Sequence, residues 1–254
     1  MVHDPCMDSR NISPRRLTGN NCNQQHGNDI NMTRTTTSFA FAITLCCAAL
    51  TAAPALAQTP HTHHHSFGDA AKWAQVFDDP KRDAWQKPHD VISALALKPD
   101  AVVADIGAGT GYFAARFAHM APKGRVYAID TEPDMVRHLA ERARREGLAN
   151  LSAVKGDPAD PRIPAKADLI IMVDVFHHVD DRESYFARLR ESLKPGGQIA
   201  IIDFRMDSAN GPPKAARIAP EQVKAELQRA GYRLAQEHSF LPNQYFLVFQ
   251  PGKG

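Results

Sequence analysis

The chain has 254 residues, of which 43% are hydrophobic and 23% charged, a composition typical of one soluble globular domain or two small ones. Lysine and arginine number 30 against 28 aspartate and glutamate residues, which gives a formal net charge of +2 at pH 7. This near-neutral balance lacks the basic excess of nucleic-acid-binding proteins, so nucleic acid is not an expected partner.

The amino-terminal quarter of the sequence differs from the rest. Residues 1–31 are polar, rich in asparagine and without hydrophobic periodicity, and we interpret them as an upstream extension from a misassigned start. Arg34, an apolar run over 39–50 and small residues at 55–57 then follow in the order of a secretory signal peptide. The apolar run is shorter than the ~20 residues that a membrane span needs. The sequence therefore predicts a signal peptide over 32–57, export to the periplasm and no stable membrane insertion after cleavage. An uncleaved anchor is the alternative, and a cytoplasmic location follows if this segment is misread.

The predicted mature chain contains no thiol, because the 4 cysteines all precede the cleavage site. A disulfide, a cysteine nucleophile and a thiolate zinc site are thereby excluded. Residues 58–68 are predicted to form a flexible tail that contains four histidines, His61, His63, His64 and His65. Histidine tracts can capture Zn, Cu or Ni, but a disordered tract selects metals poorly, so a solvated linker is the favoured interpretation and no resident metal is predicted.

A helical segment is predicted to open the folded domain, which spans 69–254. Apolar residues at helical spacing predict a helix over 69–77, and a second helix is expected over 88–97. Residues 69–98 would then form a lid over a ligand cleft. The stretch 82–88 between the helices is rich in groups able to hold a polar acceptor or a carboxylate, although its Trp85 could instead anchor the arm to the core.

An apolar strand over 101–106 runs directly into a loop with three alternating glycines, Gly107, Gly109 and Gly111. Glycine adopts a positive φ at little cost and has no Cβ, so a cofactor can lie against such a backbone. A dinucleotide fingerprint would require a third glycine where Tyr112 stands, which disfavours a nicotinamide-dependent reductase. Asp130 ends the next strand, where an acid can accept hydrogen bonds from two ribose hydroxyls. A tight turn without a ligand is the structural alternative.

The remaining pattern alternates strands and helices, which predicts a buried parallel sheet with helices on both faces. The fold class is therefore α/β, a Rossmann-like, doubly wound, mostly parallel sheet of seven strands with a C-terminal antiparallel hairpin. After the first strand, the predicted strands are 125–130, 150–155, 168–175 and 198–204, the hairpin covers 232–239 and 244–250, and the helices are 111–121, 133–147, 182–192 and 220–230.

At these residues the sequence resembles the class I S-adenosylmethionine-dependent methyltransferases of the small-molecule type, over about residues 91–251. The segment 105–111 matches the first motif of that family, Asp130 its ribose-binding acid, and Gly156-Asp157 its adenine-edge motif. Residues 167–174 resemble its fourth strand and 193–197 the turn before its fifth strand. The resemblance implies S-adenosylmethionine as cofactor and a small-molecule methyl acceptor as partner. It identifies neither the acceptor nor the oligomeric state.

Ligands of open α/β sheets bind at the carboxyl ends of the strands, and this rule selects the candidate site residues. The predicted cofactor-binding residues are Asp105, Gly107, Gly109, Gly111, Asp130, Asp157 and Asp174. Methyl transfer from a sulfonium is a direct displacement, and a base is needed only when the acceptor must lose a proton. His177 or His178 is the predicted catalytic residue, because histidine titrates near neutrality; the alternative is that one of them caps or packs a turn.

Two further alternatives remain open from the sequence. Asp174, His177 and Asp203 could be drawn together as metal ligands, although their spacing alone favours this only weakly. The domain could also be a catalytically silent, methyltransferase-like protein that binds a ligand or metal in the cell envelope. This second alternative arises because a signal peptide would separate the protein from a cofactor that is made in the cytoplasm.

Overall fold

The computed structural model describes residues 68–252 of the chain. The predicted upstream extension, the signal peptide and nearly all of the histidine tail fall on residues 1–67 and lie outside the described residues. Within 68–252, every helix is too short or too polar to cross a membrane.

Three short helices and a 3-10 turn form the amino-terminal arm. They are α1 (Ala70–Phe77), the 3-10 turn Pro80–Arg82, α2 (Asp83–Gln86) and α3 (Pro88–Ala94). The Asp69 carboxylate caps α1 by accepting from the Lys72 backbone N–H at 3.0 Å. The prediction that the second helix extends to residue 97 is wrong at its carboxyl end. Ala96 has a left-handed φ of 47°, which is incompatible with a continuing helix.

Seven strands form one sheet in the order β3-β2-β1-β4-β5-β7-β6, and this confirms the predicted fold class. The first five strands pair in parallel, whereas β7 pairs antiparallel with both β5 and β6. The strands are β1 (Val102–Ile106), β2 (Arg125–Asp130), β3 (Leu151–Lys155), β4 (Ala167–Val173), β5 (Leu193–Phe204), β6 (Tyr232–His238) and β7 (Gln244–Pro251). The helices between them are α4 (Tyr112–Met120), α5 (Pro133–Arg145), α6 (Arg182–Leu189) and α7 (Pro220–Arg229).

Two strand boundaries differ from those predicted by more than one residue. The fourth strand ends at Val173, because Asp174 turns into the left-handed region with a φ of 59°. The fifth strand begins at Leu193 instead of residue 198, since Leu193 already pairs with Ala167 before the register shifts. The glycine-containing segment predicted as a turn is therefore an irregular beginning of β5.

Each face of the sheet buries its own apolar cluster. One cluster gathers Val103, Phe117 and Phe246, which are at most 1% exposed, together with residues of α3 and α4. The other packs the fully buried Ile170 of β4 with Phe186 of α6 and with Leu227 of α7. Because the chain continues to β2 on one side of β1 and to β4 on the other, the carboxyl ends of β1 and β4 mark the switch point of the sheet.

Candidate active site

The glycine loop follows β1 and has the backbone conformation that requires glycine. Gly107, Gly109 and Gly111 have φ values of 71°, 56° and 91°. The Gly107 N–H donates to the Ile129 carbonyl at 2.8 Å, which ties the loop to the end of β2. A Cβ on Gly107 would lie 2.3 Å from Cγ2 of Val175, far inside van der Waals contact. Both φ and the close approach of Val175 therefore exclude a side chain at Gly107.

Asp130 lies at the end of β2 and faces this loop. Its Oδ2 accepts from the Gly109 N–H at 2.8 Å, and its Oδ1 accepts from the Glu132 N–H at 2.9 Å. Burial raises the pKa of Asp130, and the N–H groups of Glu132 and Gly109 offset part of this rise. Each carboxylate oxygen retains acceptor capacity after these two bonds, so the group can still accept from a pair of hydroxyls.

A second acid is buried beneath the loop. Asp105 is 3% exposed on β1, and burial, with repulsion from Asp130, raises its pKa to about 8. Asp105 therefore holds a proton more tightly than an ordinary aspartate when no cation is nearby.

The amino-terminal arm lies on the outer side of the glycine loop. A Cβ on Gly109 would lie 3.4 Å from the Phe77 ring, which is ordinary van der Waals contact. Oδ1 of Asp78 accepts from the Thr110 hydroxyl and from Nη1 of Arg142, both at 3.0 Å. The end of α1 is thus joined both to the loop and to α5.

The arm also contacts the first residue of α4. The guanidinium groups of Arg82 and Arg116 lie 4.2 and 4.0 Å from the centroid of the Tyr112 ring. The Tyr112 hydroxyl donates to the Asp83 carboxylate. These contacts give the arm a polar attachment next to the glycine loop, at the position where a dinucleotide fingerprint would have its third glycine.

Asp174 follows β4 at the switch point and is partly buried. Nε2 of Gln86 donates to its Oδ2 at 3.2 Å, and Nε2 of Gln244 donates to its Oδ1 at 2.6 Å. Burial and the nearby charge of Asp203 raise the pKa of Asp174 to about 7. One side chain of the arm and one of β7 therefore hold the same carboxylate.

His177 forms a buried pair with Asp203. It lies on a 3-10 turn, Phe176–His178, and its Nδ1 is 2.8 Å from Oδ2 of Asp203. Burial alone would lower the pKa of His177, but the hydrogen bond and charge of Asp203 outweigh it and raise that pKa. With Nδ1–H donated to the carboxylate, Nε2 is the ring nitrogen that can accept a proton.

The other predicted site residues occupy more peripheral positions. The His178 ring is 4.1 Å from the ring of His177 and is only partly buried. Asp157 follows β3 next to Gly156, whose N–H donates to the Asp130 carbonyl at 3.0 Å. The Asp157 side chain is 42% exposed and forms an ion pair with Arg162.

The structure brings Asp174, His177 and Asp203 close together, as the metal hypothesis required. Across residues 68–252, however, no group of three or more histidine, cysteine, aspartate or glutamate side chains has an arrangement that could hold a metal ion. Among the described residues, Asp203 instead forms a hydrogen bond with His177.

Three buried polar residues of this region are not identified as individual site residues by any sequence pattern. Gln86 lies in the stretch 82–88, where the sequence indicated ligand-holding groups without distinguishing one of them. Gln244 and Tyr245 begin a strand, and no local pattern marks them. Oε1 of Gln244 and the hydroxyl of Tyr245 are the buried side-chain atoms without a hydrogen-bond partner in the described part of the chain. Trp85 is partly buried, with its ring 5.8 Å from that of Phe204.

Comparison with known proteins finds the same domain in other chains. Residues 103–197 match a methyltransferase domain family. A solved S-adenosylmethionine-dependent methyltransferase from Aquifex aeolicus superposes with a TM-score of 0.66 and 28% identity, over 71% of this chain and 97% of that one. These matches support a class I S-adenosylmethionine-dependent methyltransferase domain.

Curated relatives of this methyltransferase family match over a shorter stretch. A trans-aconitate 2-methyltransferase from Afipia carboxidovorans is 32% identical over 112 residues, which cover 44% of this chain and 42% of the relative. An erythromycin 3''-O-methyltransferase from Saccharopolyspora erythraea is 31% identical over 135 residues, 50% of this chain and 44% of the relative. The chain thus spans less than half the length of these relatives.

The residues present fit the cofactor of the family. The glycine loop offers a bare backbone surface, and added Cβ atoms there would meet Val175, Phe77 of the arm or Leu139 of α5. Asp130 retains acceptor capacity for a ribose, and Asp105 and Asp174 place two carboxylates near the switch point, where a cationic group would be favoured. These residues would hold S-adenosylmethionine.

Proposed function

We propose that this protein transfers a methyl group from S-adenosylmethionine to a small-molecule acceptor by direct displacement. The observation that carries the proposal is the position of the His177–Asp203 pair, one strand away from the glycine loop. His177 follows β4, and β4 pairs directly with β1, which leads into the loop. A cofactor-binding loop and an oriented base are thereby neighbours at one edge of the sheet.

The residues of the site have different roles in the proposed reaction. The bound cofactor supplies a methyl group on a sulfonium. Asp130 holds the ribose, and the glycine loop supports the cofactor without side chains. When the acceptor is a hydroxyl, Nε2 of His177 takes its proton as the new bond to oxygen forms, and Asp203 stabilises the protonated ring.

The acceptor class is inferred from the relatives, whose names include a tricarboxylic acid and a macrolide. Both are small molecules, and their chemistry differs too much to select one for this chain. The near-neutral charge of the sequence supports a small-molecule acceptor over a nucleic acid.

The first experiment is calorimetric titration of the protein with S-adenosylmethionine, S-adenosylhomocysteine and, as a control, NAD. We expect micromolar binding of the first two and none of NAD, with loss of binding in Asp130→Ala. A panel of hydroxyl, amine and carboxylate acceptors is then screened for formation of S-adenosylhomocysteine. Absence of cofactor binding by the wild-type protein would overturn the proposal.

The screen also addresses the second hypothesis, a silent ligand- or metal-binding protein of the cell envelope. That hypothesis predicts cofactor binding without turnover, or metal capture by the histidine tail. A single methylated product contradicts it.

A further inference from the structure

Gln86 is the most deeply buried polar residue of the arm. It is fully buried at the end of α2, although the neighbouring Asp83 and Ala84 are exposed. Its Oε1 accepts from Nε and Nη2 of Arg82 at 2.9 and 2.5 Å, and its Nε2 donates to Asp174. All polar atoms of this amide are therefore engaged, which is the arrangement that a buried amide requires.

The two amides that contact Asp174 fix its role as an acceptor. Gln86 and Gln244 each donate to a different carboxylate oxygen, so the contacts favour the ionised form and a single orientation. None of the salt bridges among the described residues includes Asp174. The positive charge of Arg82 favours the ionised carboxylate from the far side of Gln86, but both groups that donate directly to Asp174 are neutral. A cationic ligand group would therefore stabilise this charge further.

Arg82 joins this carboxylate to the docking of the arm. Its guanidinium donates to the Phe77 carbonyl and lies over the Tyr112 ring, so it is held at the junction of α1, α2 and α4. Hydrogen bonds from a cation to an amide oxygen polarise the amide and strengthen the bond that its N–H donates. Gln86 thus connects the positive charge of Arg82 with Asp174.

We propose that Gln86 is a positioning residue, which orients Asp174 toward a cationic group of the cofactor, its ammonium or its sulfonium. In this way the arm contributes to cofactor affinity through a side chain whose hydrogen bonds join Arg82 and Asp174. The proposal rests on the proposed function, because it requires S-adenosylmethionine as the ligand.

Three ligands distinguish the two cationic groups in a calorimetric titration of the full chain. S-adenosylmethionine carries both groups, S-adenosylhomocysteine carries only the ammonium, and 5′-methylthioadenosine carries neither. We expect Gln86→Leu to weaken the binding of each ligand that carries the recognised cationic group about tenfold, and the binding of 5′-methylthioadenosine less than about twofold. Weakening of both S-adenosylmethionine and S-adenosylhomocysteine assigns the ammonium, and weakening of S-adenosylmethionine alone assigns the sulfonium.

A second variant separates support of Asp174 from docking of the arm. Gln86→Glu retains an oxygen for Arg82 but replaces the N–H donor by a carboxylate oxygen facing Asp174. We expect weaker S-adenosylmethionine binding and a steeper dependence of affinity on pH than in the wild type, because the two facing carboxylates must share a proton. Gln75→Leu and Gln75→Glu, at an exposed position of α1, are the matched controls and leave affinity unchanged.

A double-mutant cycle tests whether Gln86 acts through Asp174. The variant Gln86→Leu/Asp174→Asn should bind S-adenosylmethionine no more weakly than Asp174→Asn alone. Additive losses, equal weakening of 5′-methylthioadenosine, or unchanged affinity in Gln86→Leu and Gln86→Glu would each overturn the positioning role. Failure of the wild type to bind S-adenosylmethionine would instead refute the proposed function, together with this inference.

Discussion

At the scale of single residues, the carboxyl edge of the sheet concentrates acids that protein interiors usually exclude. Asp105, Asp130 and Asp203 are at most 9% exposed, and Asp174 is partly buried beside them. Three of them have different hydrogen-bond partners: backbone N–H groups for Asp130, a histidine for Asp203 and two amides for Asp174. Such groups lower the stability of the ligand-free protein and are typical of sites that bind charged or polar ligands.

Asp105 should make the stability of the ligand-free protein depend on pH. Its pKa of about 8 in the folded state exceeds the usual value of 3.8, so the native state binds its proton more tightly. The free energy of unfolding should therefore fall as pH rises from about 4 to about 8. Asp105→Asn does not titrate, and relative to the wild type it should gain about 3–4 kcal/mol between pH 5 and pH 8. Urea denaturation at both pH values measures this, and an equal difference at the two values would contradict it.

Asp203 should control the pH dependence of methyl transfer. The neutral ring of His177 is the form able to act as a base. Because the pKa of His177 is raised above its ordinary value of 6.5, this neutral form is lost at a higher pH than in an ordinary histidine as the solution is acidified. Asp203→Asn removes the charge that raises this pKa, so the acidic limb of kcat should move to lower pH. We also expect kcat on the plateau to fall by about 10- to 100-fold, because the protonated ring is no longer stabilised. The measurement is a pH–rate profile with a hydroxyl acceptor from the screen, and an unmoved acidic limb would exclude His177 as the base.

At the scale of elements, the loops after β1 and β4 are packed together. Val175 occupies the space that a side chain on Gly107 would need, so the two loops fix each other at the switch point. The arm adds a third element, since α1 contacts the glycine loop and α2 contacts the residue before Val175. The site is thus assembled from three segments that are distant in sequence.

Gly107→Ala should show how tightly these loops are fitted. The substitution imposes a left-handed alanine and a clash with Val175, and we expect it to destabilise the protein by about 2–4 kcal/mol. Gly147→Ala is the matched control, because Gly147 has a similar φ of 68° with nothing within 4 Å of the added Cβ. It should cost only about 1–2 kcal/mol. Addition of Val175→Ala should recover the steric part in Gly107→Ala, and equal losses in the two single variants would contradict the packing argument. Thermal melts of the four proteins supply the data.

At the scale of the whole molecule, residues 68–252 hold a methyltransferase domain. The segment before this domain bears on where the protein is located. We propose export of the protein, on the basis of the signal-peptide pattern over 32–57. The protein recovered from the envelope fraction of a bacterial host should then begin at Gln58, as read by amino-terminal sequencing. A start at Met32 or Thr33 in the cytoplasmic fraction would instead remove the conflict between export and cofactor supply.

The sequence by itself was sufficient for the sheet and its cofactor loop. Gly107, Gly109 and Gly111 follow a strand directly, and Asp130 ends the next one, so this part of the site is formed by neighbours in the chain. The periodicity of the strands and helices is likewise a local property, because it reflects which side of each element is buried. For this reason the fold class and the family were predicted and are confirmed.

Only the tertiary structure decided how the polar groups at the carboxyl edge are paired. Gln86 and Gln244 contact Asp174 across 88 and 70 positions of sequence, and Asp203 contacts His177 across 26. No local pattern encodes such pairs, because they depend on the order of the strands and on where the arm docks. A buried amide or carboxylate is stable only with a partner, and that partner is determined by which segments meet in space.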